Sequence, residues 1–221
     1  MIVAVAGGKG GVGKSTVAYN LGAEMDGVVV DADLGMADLP TARGPDLHDV
    51  LAGRADVLEA VREAGPVDLL PCGRSLAGAR AADPTALVEA IERVEREYGH
   101  VVVDVPAGLR ADVGLPLLAA NVVVLVTMPE EAAIADALRV RALARELDGG
   151  LARVVLNRVT EPQPVEELAT LFGAPVVSIP ESRPLALARA RGEPIAVTAP
   201  EAPARTSIEE LGDALYSCSR L

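Results

Sequence analysis

The stretch that decides the fold is Gly7-Gly8-Lys9-Gly10-Gly11-Val12-Gly13-Lys14-Ser15-Thr16, which follows the apolar run Ile2–Ala6. Between Gly8 and Ser15 it satisfies the phosphate-loop pattern GxxxxGK[ST], and a helical pattern begins where the loop ends. Glycines allow successive backbone N–H groups to converge on an anion, and a helix N-terminus adds partial positive charge. The sequence therefore predicts a phosphate-binding loop between the first strand and the first helix.

The polar side chains of this loop indicate its ligands. Lys14 has the position of a lysine that bridges β- and γ-phosphates, and Ser15 has the position of a hydroxyl that ligates Mg²⁺. Lys9 adds a second cation within the loop. The residues expected to contact the nucleotide here are Gly8, Lys9, Gly10, Gly11, Val12, Gly13, Lys14, Ser15 and Thr16.

Short runs of Val, Ile, Leu and Ala recur along the chain and are typical of strands buried on both faces of a parallel sheet. These runs are Ile2–Ala6, Val28–Val30, Val67–Leu70, Val101–Val103, Val122–Val126, Val154–Leu156 and Val176–Ile179. Helical patterns lie between them at Ser15–Met25, Leu47–Ala64 (a weaker pair), Pro84–Glu97, Glu130–Leu147, Pro164–Leu171 and Ile208–Cys218. The alternation predicts an α/β fold, a three-layer, doubly wound and mainly parallel sheet, in one domain over residues 1–221. We expect Gly192–Pro203, rich in Pro and Gly, to cross the surface before the last helix.

Three aspartates follow predicted strands. Asp31 and Asp33 come after the second strand and Asp104 after the fourth, so the topology would carry them to the same sheet edge as the loop. Carboxylates suit both Mg²⁺ binding and the orientation of an attacking water. An aspartate at a strand end also serves as a turn or helix cap, which is the alternative role for each of them.

The composition excludes several classes of function. The chain carries 32 acidic residues against 20 basic ones, a net charge of −12, and has few aromatic side chains. General DNA coating needs a basic face, and stacking on nucleic-acid bases needs aromatic rings. Both lysines lie in the phosphate loop, and all other basic residues are arginines. This bias fits either a GC-rich genome or a halophilic source.

The two cysteines and the apolar segments complete this picture. Cys72 and Cys218 form no CxxC pair, so neither a disulfide framework nor a structural metal is expected. The start of the chain lacks the basic and long apolar regions of a leader, and no run is long enough to cross a bilayer. We expect a cytoplasmic protein.

The complete phosphate loop resembles the deviant Walker A motif of the MinD/ParA ATPases, a family of P-loop NTPases. Further matching motifs occur in the family's order: Asp31-Ala32-Asp33 (switch I), Asp104-Val105-Pro106-Ala107-Gly108 (switch II), and the base contacts Asn157-Arg158 and Ile179-Pro180-Glu181. Leu47-His48-Asp49-Val50-Leu51-Ala52-Gly53 and Gly192-Glu193-Pro194-Ile195 also resemble archaeal and bacterial MinD-like proteins. Several motifs in one order are more specific than any one of them.

The resemblance implies a role for each matching residue. Asp33 would polarise the attacking water, Asp104 would hold Mg²⁺ through water, and Asp31 would support the metal side. Lys9 would reach the phosphates of a second subunit, with binding to its own phosphates as the alternative. The residues that would contact the base are Asn157, Arg158, Pro180 and Glu181.

The resemblance also implies a function. Such a protein forms a homodimer on Mg-ATP, hydrolyses ATP slowly with stimulation by a protein partner, and positions a cargo: the division site, motility or chemosensory machinery, or a chromosome. The alternatives are a ParA-type DNA-partitioning ATPase and a nucleotide-binding scaffold without useful turnover.

Two surfaces bear on membrane and DNA binding. The predicted last helix has an apolar stripe, Ile208, Leu211, Leu215 and Cys218, but the opposite face is acidic, which favours packing onto the domain over binding to anionic lipid. Arg183, Arg189 and Arg191 lie where ParA-type relatives bind DNA. Nearby glutamates and the net acidity favour an ordinary solvated face. Membrane recruitment and DNA binding stay open as alternatives.

Overall fold

Seven parallel strands form one sheet in the computed structural model, which describes residues 1–35, 39, 43–63, 65–108 and 111–218. The strands are β1 (Ile2–Ala6), β2 (Val28–Asp31), β3 (Leu69–Leu70), β4 (Val101–Asp104), β5 (Val122–Thr127), β6 (Gly150–Val159) and β7 (Val176–Pro180). Their spatial order is β3-β2-β4-β1-β5-β6-β7. The predicted parallel sheet is confirmed.

Helices cover both faces of this sheet. They are α1 (Lys14–Glu24), α2 (Leu47–Leu51), α3 (Val57–Ala60), α4 (Leu76–Ala81), α5 (Leu87–Tyr98, after a 3-10 turn at Pro84–Ala86), α6 (Ala111–Ala119), α7 (Glu131–Glu146), α8 (Val165–Phe172), α9 (Arg183–Arg191), α10 (Ile195–Thr198) and α11 (Pro203–Cys218). The predicted three-layer α/β architecture is therefore confirmed as well.

Two apolar cores lie on opposite faces of the sheet, because successive strand residues point to opposite sides. On β1, Ile2, Ala4 and Ala6 belong to one core, which α5 and α7 cover. Val3 and Val5 belong to the other core, which α1 and α11 cover. A strand buried on both faces needs an unbroken apolar run, which explains why the sequence of β1 predicts it well.

The sheet order determines where a ligand can bind. Strand β1 lies between β4 and β5. The strands β2, β3 and β4 lie on one side of it, and β5, β6 and β7 lie on the other. Strand order reverses at β1, and ligands of such sheets bind beyond the carboxyl ends of the strands at this point. The glycine-rich loop leaves β1 there.

The structure corrects the predicted elements in several places. Strand β6 extends well beyond Val154–Leu156, and β3 keeps only two residues of the predicted Val67–Leu70. The segment Gly192–Pro203 does not simply cross the surface: it contains α10, and Ile195 is buried in the core. The backbone N–H of Ile195 donates to Asn20 Oδ1 at 2.7 Å, which ties this segment to α1.

The apolar stripe of the last helix packs onto the domain, as predicted. Ile208, Leu211 and Leu215 are fully buried in the core under α1. The Tyr216 hydroxyl adds a 2.7 Å hydrogen bond to the carbonyl of Met25. Three of the four residues of this stripe are therefore occupied by packing onto the domain, and the fourth, Cys218, is half-buried. In the described part of the chain, no helix combines the length and apolarity needed to span a membrane.

Candidate functional site

The phosphate loop needs its glycines for two different reasons. Gly11 and Gly13 have φ values of +84° and +102°, a region that residues with side chains rarely adopt. At Gly8 a Cβ atom would lie 2.2 Å from the backbone carbon of Asp136, so the loop packs directly on α7. A Cβ on Gly10 or Gly11 would meet nothing within 4 Å. One side of the loop is thus fixed and the other is open, which fits a phosphate cradle.

The two lysines of the loop occupy different environments. Lys14 is buried, and its aliphatic stem lies close to Gly7. Lys9 lies at the exposed tip of the loop, beside the exposed Gly10 and Gly11. A buried lysine beside the cradle suits its own phosphates, whereas an exposed one is available to groups outside the subunit.

A cleft of about 330 Å³ opens between the loop and the ends of β2 and β4. Eight of the residues predicted to contact phosphate, metal or the attacking water line it: Gly10, Gly11, Gly13, Lys14, Ser15, Thr16, Asp33 and Asp104. The predicted residues Gly8, Lys9, Val12 and Asp31 are not part of this lining. Asp33 is held by local hydrogen bonds. Its N–H donates to Asp31 Oδ1, and its Oδ1 accepts from the N–H of Gly35, both at 3.2 Å. The sheet edge therefore brings these side chains together, as predicted.

Asp31 and Asp104 form a pair of carboxylates at the ends of β2 and β4, and Asp104 lines this cleft. They are in register on adjacent strands and are only 0% and 2% exposed. Burial, followed by the charge of Asp104, raises the pKa of Asp31 to about 7, although backbone N–H groups of Asp33 and Leu39 oppose this rise. Asp31 Oδ2 has no hydrogen-bond partner among the residues that the structure describes. A divalent cation would relieve this repulsion, so the pair fits Mg²⁺.

The predicted metal residues divide into two groups. Ser15 and Asp104 line the cleft, whereas Asp31 lies behind it. Asp31 touches the site through the N–H of Asp33. This position fits the supporting role implied for Asp31 and leaves Ser15 and Asp104 as the side chains nearest to a bound cation.

A second cleft, of about 320 Å³, continues from the loop toward β6 and β7. All four predicted base contacts, Asn157, Arg158, Pro180 and Glu181, line it together with Gly13 and Thr16. The two clefts share Gly13, Thr16 and Arg189, so they adjoin each other. We call the first the phosphate cleft and the second the base cleft, after the contacts predicted for each.

Asn157 also has a contact that the sequence does not predict. Its Nδ2 donates to the carbonyl of Val12 at 2.8 Å, and its Oδ1 accepts from the N–H of Arg158 at 3.0 Å. A Cβ on Gly13 would lie 2.2 Å from Asn157 Nδ2. Asn157 thus fastens the phosphate loop to the end of β6.

Sequence reasoning considered Arg189 only for DNA binding and did not place it at the nucleotide site. Arg189, on α9, lines the phosphate cleft, the base cleft and a third cavity of about 430 Å³ that Arg74 and Arg191 also line. Arg183, Arg189 and Arg191 are all exposed, but Arg189 borders the nucleotide clefts. A strand-end search could not find it, since Arg189 lies on a helix that periodicity left unassigned.

The matching family model is described as the CobQ/CobB/MinD/ParA nucleotide binding domain, and it covers residues 3–195. The chain belongs to this family. An uncharacterized ATP-binding protein of Methanocaldococcus jannaschii is 32% identical over 225 residues, covering 95% of this chain and 85% of that protein.

Solved structures of the MinD/ParA family agree with this assignment. The cell division ATPase MinD of Pyrococcus furiosus has a TM-score of 0.91 at 29% identity, with 98% of each chain covered. The septum site-determining protein MinD of Pyrococcus horikoshii, complexed with Mg-ADP, has a TM-score of 0.89 at 28% identity, covering 97% of this chain and 95% of that one. The resemblance to MinD/ParA proteins is confirmed, and so is the P-loop NTPase fold.

Proposed function

We propose that this protein is a MinD-like ATPase that binds Mg-ATP, closes into a homodimer around it, and hydrolyses it slowly to change what it binds. The observation that carries the proposal is one cleft lined by Lys14, Ser15, Asp33 and Asp104, with Lys9 exposed on the loop that borders it. Mg-ADP in the Pyrococcus horikoshii MinD structure supports both cofactors.

The residues at the loop bind and orient the phosphates. Backbone N–H groups between Gly10 and Ser15, together with Lys14, offset the charge of the β- and γ-phosphates. Ser15 and Asp104 would hold Mg²⁺, with Asp31 behind them. The cation, when bound, supplies charge neutralisation between the phosphate oxygens. Asn157 keeps the loop in the shape that makes these contacts, since it bonds the carbonyl of Val12.

In this proposal, Asp33 orients the attacking water. Its carboxylate lines the phosphate cleft and accepts from the N–H of Gly35, while the N–H of Asp33 donates to Asp31 Oδ1 and holds the backbone. As a hydrogen-bond acceptor, it can align a water molecule with the terminal phosphorus and accept a proton from that water as the water attacks. Hydrolysis would be slow until a partner completes the site.

Lys9 is the residue that links hydrolysis to dimer formation. Because it is exposed at the tip of the loop, it can reach a second subunit packed against the cleft. A cation placed on a developing phosphate charge from a second subunit accelerates transfer in the manner of an arginine finger. ATP would then hold the dimer together and hydrolysis would open it.

A switch between ATP-bound and free states is useful only if another molecule recognises one of the states. We propose a protein partner that recognises the ATP-bound dimer and stimulates hydrolysis, as a means of positioning a cellular cargo. A ParA-type DNA-partitioning role is the second candidate, favoured by the exposure of Arg183, Arg189 and Arg191 on one helix. A scaffold that binds ATP without turnover is the third.

Phosphate release from ATP separates these candidates. Turnover that requires Mg²⁺ and is lost in Asp33→Ala is expected for the ATPase. Stimulation by DNA would favour the partitioning role instead. Tight ATP binding with no turnover, alone or with DNA, would favour the scaffold and would contradict the proposal.

A further inference from the structure

Two side chains from outside the cleft bond consecutive carbonyl groups of the segment that carries Asp33. We call residues Asp31–Gly35 the Asp33 segment. Cys72 Sγ donates to the carbonyl of Asp33 at 3.0 Å. His48 Nε2 lies 3.0 Å from the carbonyl of Leu34 and 3.5 Å from Cys72 Sγ. Neither residue lines the phosphate cleft.

The direction of these hydrogen bonds follows from the acceptors. A carbonyl oxygen only accepts, so His48 Nε2 carries the hydrogen in this contact, and the Cys72 thiol donates. Both side chains are buried, which keeps water from replacing them. The carbonyls of Asp33 and Leu34 belong to half-buried residues, and hydrogen bonds from two buried donors favour one path of the backbone.

The His48 ring is held in a built slot. A Cβ on Gly73 would lie 2.7 Å from His48 Nδ1, and a Cβ on Gly78 would lie 3.0 Å from it, so glycine at both positions leaves room for the ring. The backbone of α2 is fastened beside it, because the N–H of His48 donates to the carbonyl of Cys72 at 3.1 Å. His48 and Cys72 are thus joined by a backbone hydrogen bond as well as by the contact of their side chains.

The Asp33 segment is held from both sides. On its inner side its own amides are bonded: the N–H of Asp33 to Asp31 Oδ1, and the N–H of Leu34 to the carbonyl of Ala32 at 3.0 Å. On its outer side His48 and Cys72 bond its carbonyls. The peptide units on both sides of Asp33 are therefore bonded, one through the N–H of Asp33 and the other through the carbonyl that Cys72 bonds, and His48 bonds the next unit along. Together these bonds favour one direction for the Asp33 side chain.

We propose that His48 and Cys72 are positioning residues for hydrolysis: they hold the Asp33 segment so that the Asp33 carboxylate stays in the phosphate cleft. This inference rests on the proposed function, because it takes Asp33 to orient the water. It also assigns a role to the motif Leu47–Gly53, because His48 of this motif contacts the Asp33 segment. Displacement of a water-orienting group by a fraction of an ångström slows chemistry without weakening substrate binding.

The test compares three variants at α2. His48→Leu removes the donor while keeping an apolar side chain of moderate size, whereas His48→Gln keeps an amide that can donate to Leu34. Asp49→Ala is the matched control. It removes one of the two hydrogen bonds of the capping box at the start of α2, the one from the N–H of Asp46 to the Asp49 carboxylate, together with the ion pair between Asp49 and Arg54. It leaves both contacts to the Asp33 segment in place.

Two measurements are made on each variant: kcat and KM for ATP, and hydrogen exchange of the amides of the Asp33 segment without nucleotide. We expect His48→Leu to lower kcat by about tenfold with little change in KM, as loss of one buried hydrogen bond would do. Its segment amides should exchange faster. His48→Gln should recover most of both properties, and Asp49→Ala should resemble the wild type in both.

Cys72 provides an independent arm in case His48→Leu does not fold. Cys72→Ala should lower kcat and loosen the same amides, while Cys72→Ser, which keeps a donor, should do so less. Wild-type kcat and wild-type amide exchange in both donor-removing variants would overturn the inference. An equal loss of kcat in Asp49→Ala would also overturn it, because the effect would then come from loosening α2.

The exchange measurement separates this inference from the proposed function. A wild-type protein without ATP turnover contradicts the proposed function, whatever His48 does. If turnover is present and the amides of the Asp33 segment keep their protection in His48→Leu and Cys72→Ala, only the positioning role is contradicted.

Discussion

Asp31 and Asp104 end neighbouring strands in register, so that two buried carboxyl groups lie side by side beneath the phosphate cleft. A parallel sheet that places an acid at the carboxyl end of each strand produces this pairing without any special loop. The arrangement is unfavourable until a cation shares the charge, which links the stability of the fold to the ligand of the site.

The first prediction concerns pH. In the folded protein the pKa of Asp31 is raised from 3.8 to about 7, so between these pH values the folded state holds a proton that the unfolded state has lost. Stability from this group is therefore present below pH 4 and falls as pH rises through 7. At pH 8 in EDTA, Asp31→Asn should therefore unfold at a higher urea concentration than the wild type. Its free energy of unfolding should be larger by a few kcal/mol, at about 1.4 kcal/mol per pKa unit.

The comparison at pH 8 has a matched control and a clear failure. Hydrogen bonds from Thr85 lower the pKa of the exposed Asp83, so Asp83→Asn should not stabilise the protein there. Saturating Mg²⁺ should narrow the difference between wild type and Asp31→Asn. Equal free energies of unfolding of these two proteins at pH 8 without Mg²⁺ would show that ionising the buried Asp31 beside Asp104 does not destabilise the fold.

The second prediction separates the two lysines by ATP binding. Lys14→Ala should weaken ATP affinity by more than about a hundredfold, since it removes the buried cation of the cradle. Lys9→Ala serves as the matched control and should weaken it only modestly, because Lys9 is exposed. Calorimetry with Mg²⁺ measures both, and equal affinity of Lys14→Ala and the wild type would contradict the loop assignment.

The third prediction concerns Asn157, which lines the base cleft and also bonds the phosphate loop. Asn157→Asp keeps the size of the side chain but replaces the donor to Val12 with an acceptor. It should weaken binding of tripolyphosphate, which has no base, by about tenfold. Glu181→Gln, in the same cleft, should affect ATP only. Unchanged tripolyphosphate affinity in Asn157→Asp would show that the hydrogen bond from Asn157 to Val12 does not support phosphate binding.

The sequence predicted the sheet and the loop because both depend on local signals. The Val runs of β4 and β5 are typical of strands buried on both faces, and the spacing of the glycines and Lys14 alone predicts the phosphate loop. It did not predict α9, whose buried positions are only Leu185 and Ala188, and so it missed the contact of Arg189 with the clefts. Contacts such as His48 to Leu34 depend on how the intervening chain returns, which periodicity does not specify.

The fourth prediction concerns salt, because a net charge of −12 repels itself at low ionic strength. If the acidity is an adaptation to salt, the melting temperature and ATPase activity should rise toward about 1 M KCl and fall near about 0.1 M, where screening is weaker. A melting temperature that does not change between these limits would attribute the arginine-rich, acidic composition to genome bias.

The last prediction concerns Lys9, whose effect should appear only when two subunits meet. Lys9→Ala leaves Lys14, Ser15 and the backbone cradle intact, so ATP binding by the monomer should persist. ATP-dependent dimerisation, followed by size exclusion, and hydrolysis should both fail. Asp33→Ala should show the opposite pattern, with ATP bound in a stable dimer and little turnover.

Mixing the two variants tests whether Lys9 acts on the other subunit. A heterodimer of Lys9→Ala and Asp33→Ala subunits contains one site with Asp33 from the first protein and Lys9 from the second. With excess Asp33→Ala, turnover should partly return and should depend on the concentrations of both proteins, although each variant alone is inactive. If crosslinking detects heterodimers and no ratio restores turnover, either Lys9 acts within its own subunit or the two sites hydrolyse only as a pair. A Lys9→Ala protein that dimerises normally with ATP would rule out the contact between subunits.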